Sequence, residues 1–237
     1  FLGMGYFLKG LIKMESSLSS DKLFVYIKSQ INFFYPDDSN HECLINVVEK
    51  AFEKTLYCFS FSSLKHYYRN NNLYFNHLNS DQYTIFIYYA SNVAYEIYGD
   101  EILASKLFYL NKTLNQFHCM YDTKLPDIFV LIHSSGIVLG KADYNNFFVA
   151  YHHCTVGSNA KLDSPKINTH TVLYPYSSII GNSIIGQNVC ISNSTYVNDT
   201  HIASGKLVFG RSKNLIIKED KNERMHAYFK NYSSNSV

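Results

Sequence analysis

From Ile132 onward an aliphatic residue returns every six positions, and this period constrains the fold more than any other feature of the chain. The column runs Ile132, Val138, Tyr144, Ala150 and Val156, then Ile167, Leu173, Ile179, Ile185, Ile191 and Val197. A second column, four residues on, runs Gly136, Ala142, Phe148, Cys154, Ala160, Thr171, Ser177, Ser183, Val189, Thr195 and His201. Nine of the eleven residues in the first column are Ile, Leu or Val, and nine in the second are small or β-branched. A helix repeats at about 3.6 residues and a strand at about two, so neither element alone produces this pattern. Two columns in phase predict a triangular coil of short strands and tight corners, in which each coil hides its apolar face only against its neighbours. The phase slips between Val156 and Ile167, and the surplus residues at 161–166 must leave the coil at a corner as an outward loop.

Glycine separates this half from the first. Residues 11–98 contain none, whereas residues 136–210 contain seven, which suits helices followed by repeated turns. In His41–Phe59 the apolar residues Leu44, Val47, Val48, Ala51, Phe52 and Leu56 recur at helical steps. Ser80 is placed to cap a second helix that runs to about Tyr98, with Gly99 at its end. Asp100 is placed to cap a third, with Ile102, Leu103, Leu107 and Leu110 on one face. The polar, Asn-rich stretch Tyr67–Tyr74 reads as a loop or frayed helix, and no chemical motif appears in this half.

Bulk properties exclude several functions. A formal net charge of +2 implies no polyanionic partner, so no nucleic acid is expected. Five cysteines without a CxxC pair fit free thiols in a reducing cytoplasm, and no ligand set is spaced for a metal. The apolar opening Phe1–Leu8 is short and lacks a small-residue cleavage site, so it reads as packing on a partner subunit or as an expression remnant rather than as a signal peptide. No apolar run is long enough to span a membrane.

Particular residues of the repeat resemble the serine acetyltransferase branch of the hexapeptide-repeat acyltransferases. Leu131-Ile132-His133-Ser134-Ser135-Gly136-Ile137-Val138-Leu139-Gly140 resembles that branch's His-Ala-Thr-Gly-Ile-Val-Val-Gly segment. Tyr151-His152-His153-Cys154-Thr155-Val156-Gly157 resembles its Ser-Val-Thr-Leu-Gly-Gly coil, and Ser164-Pro165-Lys166-Ile167 its His-Pro-Lys-Ile at the end of an extruded loop. The segment Ile180–Gly186 matches the regular coils. The resemblance covers roughly 80–210 and is firm over 131–197. It implies an α+β chain: a mainly helical N-terminal domain over 1–125, a left-handed parallel β-helix of hexapeptide repeats over 126–212, and a C-terminal tail over 213–237. Lys218–Arg224 is expected to be helical or loose, and Tyr232–Val237 frayed.

The resemblance further implies an acetyl-CoA-dependent O-acetyltransferase with His133 as general base. A hydroxyl must lose its proton as it attacks a thioester carbonyl, and imidazole titrates where it can take that proton and return it to the leaving thiolate. An upstream aspartate should orient the base; Asp122 is preferred over Asp127, which falls on a different face. Acetyl-CoA should lie in a groove lined by Gly157, Tyr174, Pro175 and Asn193, with Lys206 or Arg211 near its phosphates. Because that groove runs between two β-helices, a homotrimer is expected, and two trimers could pair through the helical half.

The chain departs from the serine enzymes in ways that bear on the acceptor. Asp163 and Ser164 stand where they carry Arg-His, and Ile132 stands where an aspartate precedes the base. An aspartate repels a substrate carboxylate. With Tyr144, Phe147 and Phe148 nearby, Asp163 suits a saccharide hydroxyl better. His152 and His153 sit near a corner where one of them can contact the acceptor, and they are the alternative base. The sequence therefore favours O-acetylation of a saccharide. The other readings are L-serine O-acetylation for cysteine synthesis, N-acetylation of an amino sugar, and a non-catalytic β-helix scaffold.

Overall fold

Helices in the first half begin where side chains can satisfy their free amides. The computed structural model describes residues 14–37, 39–220 and 224–230. These contain α1 (Ser20–Phe34), α2 (Leu44–Ser60), α3 (Ser80–Glu96) and α4 (Glu101–Asn115). The side chains of Ser19, Asn79 and Asp100 cap α1, α3 and α4 by accepting from the amides of Lys22, Gln82 and Leu103. Each such cap contributes about 0.5–2 kcal/mol. The cap of α3 therefore falls one residue before Ser80. Helix α1 escapes the sequence reading because only Leu23, Ile27 and Ile31 on it are buried. In α4, Leu103, Leu107 and Leu110 are buried as predicted, but Ile102 faces outward.

A small sheet joins β1 (Met14–Ser16), β2 (Tyr68–Arg69) and β3 (Asn72–Phe75) in the order β1-β3-β2. The Asn-rich stretch is thus a hairpin and not a loop. Asn70 and Asn71 adopt φ of 50° and 63°, the left-handed pair that a tight two-residue hairpin requires.

The repeat forms a three-faced parallel coil. Its first turn is β4 (Phe129–Ile132), β5 (Val138–Leu139) and β6 (Asp143–Tyr144). The second is β7 (Phe148–Tyr151), β8 (Thr155–Gly157) and β9 (Lys166–Ile167). The third is β10 (Thr171–Leu173), β11 (Ser178–Ile180) and β12 (Ile184–Ile185). The fourth is β13 (Val189–Ile191), β14 (Tyr196–Asn198) and β15 (His201–Ile202). Strand β16 (Lys206–Phe209) starts a fifth, and β17 (Ile216–Glu219) folds back on it antiparallel. The first face is ordered β17-β16-β13-β10-β7-β4, the second β14-β11-β8-β5 and the third β15-β12-β9-β6.

Strand register fixes which residues fill the prism. Leu131, Ala150, Leu173, Ile191 and Val208 stack inside the first face. Leu139, Val156, Ile179 and Val197 stack inside the second, and Tyr144, Ile167, Ile185 and Ile202 inside the third. The predicted column is correct from Tyr144 onward but wrong at its first two members. Leu131 and Leu139 fill the prism, while Ile132 turns to the outer surface and Val138 is exposed. The corner between β4 and β5 holds residues 133–137, five against the three of the next corner at 152–154. Two extra residues throw the spacing from six to eight, and Ile132 and Val138 keep the period by coincidence.

Helix α3 connects the two halves. Every residue from Asp81 to Ser91 on it is buried, with the polar Asp81, Gln82, Thr84 and Ser91 among apolar and aromatic neighbours. Rings of Tyr88 and Tyr89 pack edge-on to Phe129 of β4, and the Tyr88 hydroxyl donates to the Thr123 carbonyl while accepting from the Leu125 amide.

The C-terminal tail is partly ordered: Lys218 and Glu219, expected to be helical or loose, lie in strand β17, and the segment after Arg224 is packed. The outer surface of the first face is apolar, with Ile128, Val130, Val149 and Val172, and needs cover. Met225, Tyr228 and Phe229, from the short helical turn Arg224–Ala227 and its continuation, supply it. The Tyr228 and Tyr151 hydroxyls lie 2.9 Å apart, and the Phe229 ring packs edge-on to Phe147. The opening Phe1–Leu8 and the closing Tyr232–Val237 lie outside the described residues.

Candidate active site

The corner between the first and second faces gathers most of the residues singled out from the sequence. Successive coils place His133–Ile137, His152–Cys154, Tyr174–Ser177 and Ser192–Thr195 there. Each corner has a left-handed residue at the same register position, Gly136 (φ 65°), His153 (56°), Tyr176 (63°) and Ser194 (56°), and the lengthened first corner adds a second, His133 (54°). Backbone amides stitch the corners together, from His153 to Ser135, Tyr176 to His152 and Ser194 to Pro175. Inside the corner, buried Cys154, Ser177 and Thr195 keep the turns narrow.

His133 stands out from this column on the longest of the four corners. Its side chain is exposed and lines a shallow cleft of about 360 Å³ with His66, Leu78, Asn79, Ser80 and Asp81. Its ring lies 6.1 Å from that of His152. His152 in turn meets His153 and Tyr176 edge-on, and its Nδ1 is buried without a hydrogen-bond partner. The His153 ring stacks on Tyr176, 4.8 Å between centroids. Burial holds the His66 imidazole below its ordinary pKa; Asp81 opposes that shift, and His133 adds to it.

Asp122 is engaged elsewhere than at His133. Its carboxylate forms an ion pair of 2.9 Å with Lys141. Asp127 lines separate clefts with Lys54, Tyr57 and Tyr89 and with Lys124, Asp143 and Asn145. Among the described residues no carboxylate hydrogen-bonds the His133 ring. The one that reaches its turn is Asp81 on α3, which accepts from the His133 amide at 2.9 Å and from the Ser134 amide at 2.7 Å. Asp81 and His66 lie on elements where sequence periodicity reports packing alone, so neither was legible as a site residue.

The other predicted residues divide between two edges of the prism. Tyr174, Pro175 and Asn193 share the corner with His133. Tyr174 stacks on Tyr151, 5.3 Å between centroids, and packs against the cluster that holds Tyr228, so its ring faces the C-terminal segment. Gly157 lies at the far end of the second face, about 10 Å along β8 from that corner. A Cβ there would meet only Ile180 Cδ1 at 3.8 Å, so the backbone is open on its outer side. Asp163 sits in the loop beyond Gly157. Asn159 Nδ2 donates to it at 3.0 Å and also to Asp199, and the Asp163 amide returns a bond to Asn159 Oδ1. The loop is therefore an ordered, Asn-centred turn. Lys206 pairs with Glu219 of β17, and the Arg211 guanidinium lies 5.1 Å over the Tyr196 ring.

Among the described residues, no group of three or more His, Cys, Asp or Glu side chains is placed to hold a metal ion. No helix among them is long and apolar enough to cross a membrane. All five cysteines are free thiols.

No family model and no curated protein matches the sequence. Solved structures do match in fold. Serine acetyltransferase from Neisseria gonorrhoeae superimposes with a TM-score of 0.64 at 16% identity, over 88% of this chain and 82% of that one. The soybean serine acetyltransferase apoenzyme gives 0.63 at 13% identity, over 83% and 89%. The enzyme from Brucella abortus strain S19 in complex with coenzyme A gives 0.57 at 17% identity, over 85% and 75%. In architecture, an N-terminal helical domain followed by a left-handed parallel β-helix, this chain is similar to the serine acetyltransferases.

Proposed function

We propose that the chain is an acetyl-CoA-dependent O-acetyltransferase in which His133 is the general base and a small hydroxy amino acid of the serine type is the acceptor. The observation that carries this reading is the lengthened corner, which lifts an exposed imidazole out of an otherwise regular column and into a cleft. The thioester supplies an activated acetyl carbonyl. The acceptor hydroxyl attacks it as its proton passes to the His133 ring. When the C–S bond breaks, the protonated imidazole returns a proton to the departing thiolate, so no net charge is left on the protein. A positioned base of this kind contributes about 10²–10⁴-fold. The His152 ring lies beside the base, 6.1 Å between centroids, and is the second imidazole at hand to contact the acceptor.

The serine-type acceptor displaces the saccharide favoured by the sequence because the fold neighbours are serine acetyltransferases. A specific observation keeps the saccharide as a second reading. The loop that presents Asp163 offers a carboxylate where the resemblance places a cation for the amino-acid carboxylate.

Assembly follows from the two edges. His133 and Gly157 lie at opposite ends of the second face, so one chain does not surround an acyl donor. A homotrimer brings the His133 corner of one prism against the Gly157 edge of the next and closes three equivalent grooves. Thiol release from acetyl-CoA, measured with free serine, simple sugars and nucleotide sugars, tests the acceptor. Serine-dependent release supports the first reading, sugar-dependent release the second, and acetyl-CoA binding without release the non-catalytic scaffold.

A further inference from the structure

We infer that Asp81 is the positioning residue for His133, so that the helical half of the chain sets the geometry of the base. The inference rests on the acetyl-transfer reading for its kinetic consequence, but its geometry stands independently. Asp81 lies in the first turn of α3 and is 9% exposed. Both of its oxygens are used on one short stretch of backbone, Oδ2 by the His133 amide and Oδ1 by the Ser134 amide. Charge-assisted bonds of this kind are shorter and stronger than bonds between neutral groups.

A second tie reinforces the first. Ser134 Oγ lies 3.0 Å from Thr84 Oγ1, one turn further along α3, and Thr84 Oγ1 donates to the Ser80 carbonyl. Two consecutive residues of the corner are thus bound to one face of one helix. The corner needs such an anchor. The neighbouring corners at His153, Tyr176 and Ser194 are bonded by coil-to-coil amide contacts. The His133 corner is two residues longer than the next, and before it stands no full coil but only the segment Gln116–His118, whose His118 amide donates to the Ile137 carbonyl and whose Gln116 Oε1 accepts from Ser135 Oγ, neither reaching His133 itself. Its left-handed His133 backbone is held from outside the β-helix, by α3.

Asp81 accepts from the backbone and not from the imidazole, so it fixes where the ring is and leaves the ring nitrogens free for the acceptor. The titratable groups facing the carboxylate from other elements are His66 and Tyr67, from the turn Lys65–Tyr67, and His133 itself.

Two variants test the assignment. Asp81→Asn keeps volume but turns an NH2 toward an amide, breaking one of the two bonds; Asp81→Ala breaks both. The account predicts that kcat falls about tenfold and about hundredfold respectively, as expected for a base displaced by about 1 Å. It also predicts that KM for acetyl-CoA stays within about twofold and that Asp81→Ala adds little on top of His133→Ala. If Asp81→Ala does not fold, Asp81→Asn carries the test. The His133 ring resonance of ¹³C-histidine-labelled protein reads the geometry without turnover. One sharp signal should broaden or split in either variant. A wild-type protein that releases no thiol would end the functional reading while leaving this signal to judge the positioning. A folded Asp81 variant with an unchanged His133 signal, or with kcat within twofold of wild type, would overturn the inference.

Discussion

A Cβ on Gly136 would lie 2.3 Å from Nδ1 of His153, so the glycine and the imidazole of the next coil share one space. The glycine also has φ 65°, a conformation that an L side chain adopts only with strain. Gly136→Ala is therefore expected to destabilise the fold by about 1–3 kcal/mol and to displace His153 from its stack on Tyr176. In a His153→Ala background the same change should cost clearly less, because the clash is gone and only backbone strain remains. Urea unfolding of the two singles and the double measures the difference. Equal losses in both backgrounds would refute the contact.

The register of the first coil makes a sharper prediction about stability. Leu139 is fully buried inside the prism, whereas Val138 next to it is exposed. Leu139→Ala should cost about 2–5 kcal/mol, as truncations in a packed core do, and Val138→Ala should stay within about 0.5 kcal/mol. Thermal unfolding of the two variants decides between this register and the six-residue column that places Val138 inside.

That column shows how much was legible in advance. Stacked coils repeat their own packing, so Ile167, Leu173, Ile179, Ile185 and Ile191 announce themselves by period. An insertion is legible only where it breaks the period, as at 161–166. The two-residue excursion at His133 hid because aliphatic residues on the outer surface, Ile132 and Val138, restored the phase. Ile132 is apolar there for a separate reason: the outer surface of the first face is covered by Met225, Tyr228 and Phe229. The proposed base, His133, was singled out by the motif around it. Its anchor was not, because Asp81 lies 52 residues earlier on a helix and touches only backbone.

Acid should weaken the fold through His170. The residue is 4% exposed, its ring stacks on Phe147 at 4.7 Å, and burial lowers its pKa. The unfolded chain therefore takes up a proton at a higher pH than the folded one does. Stability contributed by the neutral ring is complete above the ordinary histidine pKa and is lost as pH falls through the lowered one. Unfolding free energy measured from pH 8 to pH 5 should decline, and His170→Asn should flatten that decline. An equally steep acid limb in the variant would remove His170 from the account.

The central claim is that the imidazole of His133 does the chemistry. The most direct measurement is thiol release from acetyl-CoA by the wild type and by His133→Ala, with acetyl-CoA binding followed calorimetrically in both. The account predicts that kcat/KM for the acceptor falls about 10²–10⁴-fold while acetyl-CoA affinity changes by less than about twofold. A folded His133→Ala protein that turns over at the wild-type rate would contradict it and move the base to another residue of the same corner, with His152 and His153 the first to replace.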